Sequence, residues 1–503
     1  MTAIESCWKG DIEKGLFVMC RVDGKEYKTL PLGICYLAAA LRKNEYCCDI
    51  LDGNLDFPAI DEMVDKAVNY DMVGISSNTS NFSNAVKIAE SIKSISDIPI
   101  LLGGHHATFE HEYIINYYNC FDAIIRGEGE TAIVQLCNDF FKNGLFSTKI
   151  NGVTYRNLGG EICLSDTIIQ EDNIETLSFP IRDNQGQYPR KPLPYANDKL
   201  YVSISTSRGC PYGCSFCSVT SFRSKWVARS AESVAEEAYS LYKAFSDIFI
   251  VFADDNFFIN PERSKEIVGK INAKCGQNIG FSFATRADQI IRNGSDYLRY
   301  FKDNGCYSIE LGVESGSNNM LKRFCKNTTA DQNKLAIKMI REQGIYVAVD
   351  YILFDPETSV EELKENVIFM KSANIFGHYP PILFNRIKPY PGTKFTEQYG
   401  YISDENYFKN KDVKDIYECL QKYKEELHRR IARLMDIIEL NIQAGNADRS
   451  QKGDYIWLKM LCYNVFEKLV NCNTSNYYEY YDSLINDLKV KTHISFLENK
   501  YGT

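Results

Sequence analysis

Short apolar runs alternate with amphipathic stretches along the first 145 residues. GLFVMC (15–20), YCCDILD (46–52), DMVGIS (71–76), IPILLGG (98–104) and FDAIIRGEGE (121–130) have strand length, and most run into Gly, Ser or Asp. Between them, GICYLAAALRKNE (33–45) and the stretch from Asn84 to Ile95 space their apolar residues as a helix does. This βαβα rhythm predicts a Rossmann-like α/β domain over 1–148, a parallel sheet with helices on both faces. Ligands of such sheets sit beyond the carboxyl ends of the strands. The loops Ser76–Ser80, Gly103–Thr108 and Gly127–Glu130 fall there.

GVTYRNLGGEICLSD (152–166) reads as a β-hairpin turning at Asn157–Gly160. The stretch 167–200 contains Pro180, Pro189, Pro192 and Pro194 and has poor periodicity, so 149–199 reads as a hairpin plus a linker that crosses the surface. A second βα series begins at YVSISTSRG (201–209). It continues through DIFIVFAD (247–254), IGFSFATR (279–286), CYSIELGVES (306–315), IYVAVDYILFD (345–355) and PILFNRIKP (381–389), with helical patterns between. Six strands predict an open (β/α)6 barrel over 200–398, whose site gathers at the strands' carboxyl ends. From 399 to 503 the strand signal is lost, and 414–446 reads as one long amphipathic helix within a C-terminal helical region.

Composition narrows this little. Apolar residues make up 45% and charged residues 24%, a globular balance. The net charge of −9 disfavours a nucleic-acid partner. The N-terminus lacks an apolar targeting core, and no apolar run reaches membrane-span length, so a cytoplasmic protein with no membrane partner is expected. Seventeen cysteines, an odd number in a large chain, make a poor disulfide framework; most read as buried thiols.

Three cysteines stand apart. SRGCPYGCSFCSV (207–219) sets Cys210, Cys214 and Cys217 at C-x3-C-x2-C spacing directly after a predicted strand. Three thiolates on a short loop can hold three irons of a 4Fe–4S cubane and leave the fourth open. A zinc site and plain core cysteines are the competing readings; zinc would call for a second ligand pair, and the next Cys and His are Cys275 and His378. Cys275, Cys306 and Cys325 are loosely spaced candidates for a further cluster.

With Phe216 in the aromatic place, the loop resembles the C-x3-C-x-aromatic-C motif of the radical S-adenosylmethionine (SAM) superfamily, over about residues 200–395. The resemblance implies that the open iron chelates SAM and that reduction yields a 5′-deoxyadenosyl radical. It also implies SAM contacts at the later strand ends: Asp254 and Asp255 for the amine, in place of the Gly-Gly-Glu of many relatives, Arg286 for the carboxylate, and Glu314 and Ser315 for the ribose. KPYPGT (388–393) resembles the loop near the adenine.

The N-terminal domain resembles the cobalamin-binding domain that precedes the barrel in one branch of that superfamily. LPLGICYLAAALRKNEYCCDILDGN (30–54), VGISSNTSNF (73–82), LLGGHHATF (101–109) and IIRGEGE (124–130) carry the likeness. The implied cobalamin contacts are Leu32, Gly33, Ser76, Ser77, Asn78, Gly103, Gly104, Gly127, Glu128 and Gly129. The Asp-x-His-x-x-Gly motif of many cobalamin domains is missing. His105 and His106 have the wrong neighbours for it and read as ordinary loop residues.

The resemblance as a whole implies a cobalamin-dependent radical SAM methyltransferase. It would act on an unactivated carbon of a small molecule or peptide and draw electrons from a flavodoxin or ferredoxin. Branch members that cyclise, rearrange or oxidise their substrates, and a non-catalytic cobalamin or iron–sulfur module, are the alternatives. No catalytic acid or base is legible; Tyr351 and Tyr390 read as structural tyrosines before substrate contacts.

Overall fold

The computed structural model describes residues 14–19, 30–53, 55, 60–143, 146, 149–157, 159–188, 191–193, 196–377, 380–443, 445–487 and 489–502. The chain divides into two compact units. One comprises Met1–Tyr212, Cys217–Phe283 and Tyr390–Glu397; the other comprises Gly213–Phe216, Ala284–Pro389 and Gln398–Thr503.

The first unit opens with strands β1 (Lys14–Met19), β2 (Cys47–Asp52), β3 (Met72–Ser76), β4 (Ile100–Gly103), β5 (Ala123–Ile125), β6 (Val153–Arg156) and β7 (Ile162–Cys163). They form one sheet in the order β2-β1-β3-β4-β5-β6-β7, parallel through β5, with β6 and β7 as the antiparallel hairpin. Helices α1 (Leu32–Lys43), α2 (Ile60–Ala67), α3 (Phe82–Lys93), α4 (His105–Tyr117) and α5 (Glu130–Asn143) connect them. One core joins α2, α3 and α4 to the sheet, through Met63, Ile88 and Ile114; another joins α1 and α5, through Ile34, Leu41 and Leu136. The doubly wound domain therefore has a core on each face. Each fully buried Ile or Leu adds roughly 1.5–3 kcal/mol by leaving water.

His105 and His106 correct the sequence reading: they form the first turn of α4, not a loop. Gly104, with φ +101°, makes the corner between β4 and α4. A Cβ there would stand 2.2 Å from the Ser77 carbonyl oxygen, so only glycine fits.

The proline-rich segment is likewise not wholly a surface linker. Its 3-10 turns Ile174–Thr176 and Gln185–Gln187 bury Ile174 and Gln185, and Tyr188, which follows the second, is buried too. Polar side chains anchor it: Gln185 Nε2 donates to the Tyr201 carbonyl at 3.0 Å, and the Tyr188 hydroxyl donates to Asp52 at the end of β2.

The same unit continues with β8 (Lys191–Leu193), β9 (Ala196–Ile204), β10 (Ser207–Arg208), α6 (Ser218–Phe222), β11 (Val227–Ala228), α7 (Ala231–Phe245), β12 (Ile248–Phe252), α8 (Pro261–Cys275) and the first part of β13 (Gly280–Arg286). β9, β12 and β13 are parallel barrel strands, β8 pairs antiparallel with β9, and β10 pairs with β11.

The second unit carries α9 (Ala287–Asn293), α10 (Ser295–Asp303), β14 (Cys306–Glu314), α11 (Asn318–Arg323), α12 (Ala330–Glu342), β15 (Tyr346–Tyr351) and α13 (Val360–Ser372). β14 and β15 pair in parallel, with a bulge between Gly312 and Glu314. The sixth predicted strand, 381–389, is instead a 3-10 turn over Pro380–Phe384 followed by a single bridge, Phe354 to Arg386. Pro380, Pro381 and Pro389 have no N–H to donate to a ladder.

After α14 (Lys394–Tyr399), which belongs to the first unit except for its last residues, come α15 (Lys411–Tyr423), α16 (Arg429–Gln443), α17 (Arg449–Asn471), α18 (Tyr477–Asp487) and α19 (Val490–Tyr501). The helix predicted over 414–446 is broken in pitch by a π-helical turn, Lys424–His428, between α15 and α16. Among the described residues no helix is long and apolar enough to cross a membrane.

Candidate active site

At the carboxyl ends of β3, β4 and β5, within the first unit, lies a cavity of about 440 Å3. Leu32, Gly33, Ser76, Gly103, Gly104, Gly127, Glu128 and Gly129 line it. Ser77 and Asn78 do not. Ser77 is buried, with its N–H on the Gly103 carbonyl at 3.0 Å, and Asn78 turns its side chain back to the Ser80 N–H at 2.8 Å. Both shape the strand-end turn.

Leu37, Leu101, Leu102, Ile125 and Ile133 make the walls mostly apolar, as expected of an organic-ligand site. A Cβ on Gly33 would meet nothing within 4 Å, so the helix α1 backbone borders open space. His105 also faces the cavity, exposed, with its ring stacked on Phe222 of α6 at 4.3 Å.

One part of the wall is charged. Arg208 donates to Glu130 at 2.6 Å and lies 3.5 Å from Glu128; its guanidinium sits 5.0 Å above the Tyr36 ring. Arg223 donates to Glu128 at 2.8 Å, and the Glu171 N–H donates to the same carboxylate at 2.6 Å. Burial raises the Glu128 pKa, against the pull of both arginines and the Glu171 N–H. Burial disfavours charge on Arg208 too, but Glu130 and Glu128 outweigh it and hold the guanidinium firmly protonated.

Asp254 and Asp255 follow β12 and have different employments. Asp254 is buried and accepts four hydrogen bonds: Thr206 N–H (2.6 Å), Thr206 hydroxyl (2.5 Å), Ser207 N–H (3.1 Å) and Ser207 hydroxyl (2.7 Å). Thr206 and Ser207 thus occupy both of its carboxylate oxygens. Asp255 lines the cavity and accepts from the Gly209 N–H at 3.1 Å. Its side chain is exposed, yet desolvation by the surrounding protein pushes its pKa up to about 6; the Gly209 N–H opposes the shift, and Asp254 and Glu128 add to it.

In the second unit the predicted SAM residues are also engaged. Arg286 donates to Asp288 Oδ1 at 2.8 Å, to Cys214 Sγ at 3.4 Å and to the Lys326 carbonyl. Its guanidinium braces the cysteine loop, so a free bidentate fork is not what the structure presents. Glu314 sits at φ +64° in the β14 bulge, with Lys326 Nζ 2.8 Å from its carboxylate. Ser315 is fully buried and hydrogen-bonded to Asn366 at 3.0 Å. Phe216 packs edge-to-face on Phe324 at 5.7 Å.

Tyr351 is buried, with its hydroxyl on Asn366. Tyr390 is half-buried, and its carbonyl closes the turn with Thr393 and Thr396. Asp350 on β15 is exposed, yet desolvation by its surroundings and then Glu310 and Glu314 push its pKa up to about 8.

Cys210, Cys214 and Cys217 are each half-buried on the loop between β10 and α6. Among the described residues no three His, Cys, Asp or Glu side chains are gathered around one point as for a single ion. A cubane does not ask for that, because its three protein-ligated irons occupy separate corners. Cys275 and Cys306 are buried; Cys325 is exposed.

A family model of the B12 binding domain matches residues 22–137, and one of the radical SAM superfamily matches residues 204–370. The chain belongs to the B12-binding radical SAM enzymes. Its cofactor set is accordingly a 4Fe–4S cluster, SAM and cobalamin. An uncharacterized methyltransferase of Pyrococcus horikoshii is 29% identical over 73% of this chain and 78% of its own. The anaerobic magnesium-protoporphyrin IX monomethyl ester cyclase of Rubrivivax gelatinosus is 26% identical over 68% of this chain and 62% of its own. The cobalamin-dependent SAM radical enzyme OxsB, solved with aqua-cobalamin and SAM, shares the fold, with a TM-score of 0.75 and 20% identity over 96% of this chain and 76% of its own.

The sequence reading of this B12-binding radical SAM enzyme missed several cavity residues: Tyr36, His105, Arg208, Phe222, Arg223 and Glu130. A signal was present for two of them. Arg208 stands immediately before the Gly-Cys that opens the cysteine loop, and Glu130 repeats the Gly-Glu of 127–128.

Proposed function

We propose that this protein is a cobalamin-dependent radical SAM methyltransferase acting on an unactivated carbon of a small molecule or peptide. One observation carries the reading: a glycine-edged, largely apolar cavity at the strand ends of the B12 binding domain reaches, within one compact unit, the residues that lead into Cys210. When bound, the cofactors supply reductive cleavage of SAM to a 5′-deoxyadenosyl radical and a transferable methyl group.

The chain's own residues do the rest. Cys210, Cys214 and Cys217 hold three irons, with the Arg286 guanidinium donating to Cys214 Sγ. Gly33, Gly103 and Gly129 let a corrin approach the backbone, and Leu101, Ile125 and Phe222 exclude water from it. Of the predicted SAM contacts Asp255 is the freest, since it spends one oxygen on Gly209 and faces the cavity. Phe216 orders the loop through Phe324.

A division at 1–148, 149–199, 200–398 and 399–503 fits this reading, as do a cytoplasmic location and a flavodoxin or ferredoxin reductant. The net charge of −9 speaks against nucleic acid as substrate.

The cyclase-named relatives favour a second reading, radical cyclisation or oxidation with the same cofactors. Product mass separates the two. Protein purified without oxygen, reconstituted with iron, sulfide and hydroxocobalamin, and reduced with SAM should retain a corrin through gel filtration, form 5′-deoxyadenosine and add the mass of one CH2 to a substrate. 5′-Deoxyadenosine without retained corrin would overturn the methyltransferase reading.

A further inference from the structure

Four consecutive residues lead into Cys210, and each is held by a carboxylate. Thr206 and Ser207 are held by Asp254, Arg208 by Glu130 and Glu128, and Gly209 by Asp255. The carboxylates come from two places. Asp254 and Asp255 lie just after strand β12 of the barrel. Glu128 and Glu130 belong to the Gly-Glu-Gly-Glu run that forms the cavity wall, and Glu130 is the first residue of α5. Arg208 thus touches the cavity with its side chain and stands two residues before a cluster cysteine in the chain.

The ion pairs are not surface decoration. Side-chain exposure is 17% for Arg208, 7% for Glu130, 6% for Glu128 and 2% for Arg223. Buried, hydrogen-bonded pairs of this kind resist rearrangement, because breaking one leaves a charge without a partner. A body filling the cavity displaces water from one side of this network and strengthens its fields. The same network is attached at its other end to the chain leading into the cysteine loop, through Arg208 and Gly209.

We propose that Arg208, clamped by Glu130 and Glu128, is a positioning residue that couples occupancy of the cavity to occupancy of the cysteine loop. The proposal rests on the reading of the cavity as the corrin site. Coupling of this kind is reciprocal: if the cluster raises corrin affinity, corrin stabilises the cluster by the same factor.

The test is a cycle of dissociation constants, with no turnover in it. Hydroxocobalamin is titrated by its visible spectrum into full-length protein, once with the cluster assembled and once after iron has been chelated away. The parent should bind at least about fivefold more tightly with the cluster present, at the low end of coupling energies between sites. Arg208→Gln should bring that ratio to within about twofold of unity, and Arg208→Lys, which keeps a cation for Glu130, should restore part of it. A residue with a merely structural role would weaken both affinities equally and leave the ratio alone.

A parent ratio of one, or a parent-like ratio in Arg208→Gln, would overturn the proposal. A parent that binds no corrin in either state would overturn the corrin reading, and the coupling with it. If Arg208→Gln fails to fold, Glu130→Gln, which keeps both arginines and Glu128, carries the same test.

Discussion

The cavity in the B12 binding domain and the strand ends of the barrel make contrasting surfaces. The cavity is built from what is missing: glycine backbone, short side chains and apolar walls, with its charges paired along one part of the wall. The barrel strand ends are built from polar side chains that already have partners: Asp254 with Thr206 and Ser207, Arg286 with Asp288 and Cys214, Glu314 with Lys326, and Ser315 with Asn366. A void holds a ligand by shape, whereas a bonded polar group holds the frame that holds the ligand. A polar residue at a strand end is therefore a poor guide to contact until its partners are known.

The contrast can be broken most sharply at the thiolates. Cys214→Ala should lose the cluster's visible absorbance and bring 5′-deoxyadenosine to background, yet corrin should still bind, more weakly, because the cavity is untouched. Loss of all corrin binding would erase the distinction between the two regions. Gly104→Ala attacks the void from its corner. With φ at +101° and the Ser77 carbonyl 2.2 Å from the new Cβ, it should cost at least about 1–3 kcal/mol, read as a lower midpoint of thermal unfolding together with lost corrin retention.

The neighbouring aspartates sharpen the comparison further. Asp254→Asn strips acceptors from two donors among four and should cost about 1–3 kcal/mol of stability in denaturant unfolding. Asp255→Asn keeps one carbonyl oxygen for the Gly209 N–H and should cost clearly less while still changing SAM affinity. Equal losses would put both residues in the frame.

The smallest effect is one of pH. Asp350 keeps an exposed side chain on β15, yet desolvation by its surroundings and then Glu310 and Glu314 push its carboxyl up to about 8, against the pull of Lys326. An unfolded Asp titrates near pH 4, so between there and pH 8 the folded chain carries a proton that the unfolded chain has lost. Stability from this group is full below about pH 4, falls as pH rises to 8 and is level beyond. Asp350→Asn should flatten that slope in melting temperatures taken across the range; an unchanged slope would place the titration elsewhere.

Much of this was legible in the sequence, for physical reasons. Strands such as DMVGIS and IPILLGG are buried on both faces, so they read as continuous apolar runs. The cysteine spacing and the glycine pairs are local and survive without tertiary knowledge. What was not legible depends on distant partners. α4 carries His, Thr and Glu among its apolar residues, which blurs its stripe, and only the Gly104 corner fixes its start. The false sixth strand had β-like composition, but its prolines cannot feed a ladder. The protein partners of Asp254 and Arg286 were not legible, because nothing in FADDNFF or ATRAD reports Thr206 or Cys214.

Burial of most of the other described cysteines has a synthetic consequence. Nine of the described cysteines are buried, and burial pushes the thiols of Cys48 and Cys120 up to about 11 and those of Cys35 and Cys419 up to about 12. Iron binds the thiolate, and a thiol held protonated out of solvent is in effect capped. The fold thus acts as a set of protecting groups. When iron and sulfide are offered to a chain rich in sulfur, nine thiols are masked, and among the described residues only Cys163, Cys325 and Cys472 are left outside the core beside the trio at 210, 214 and 217.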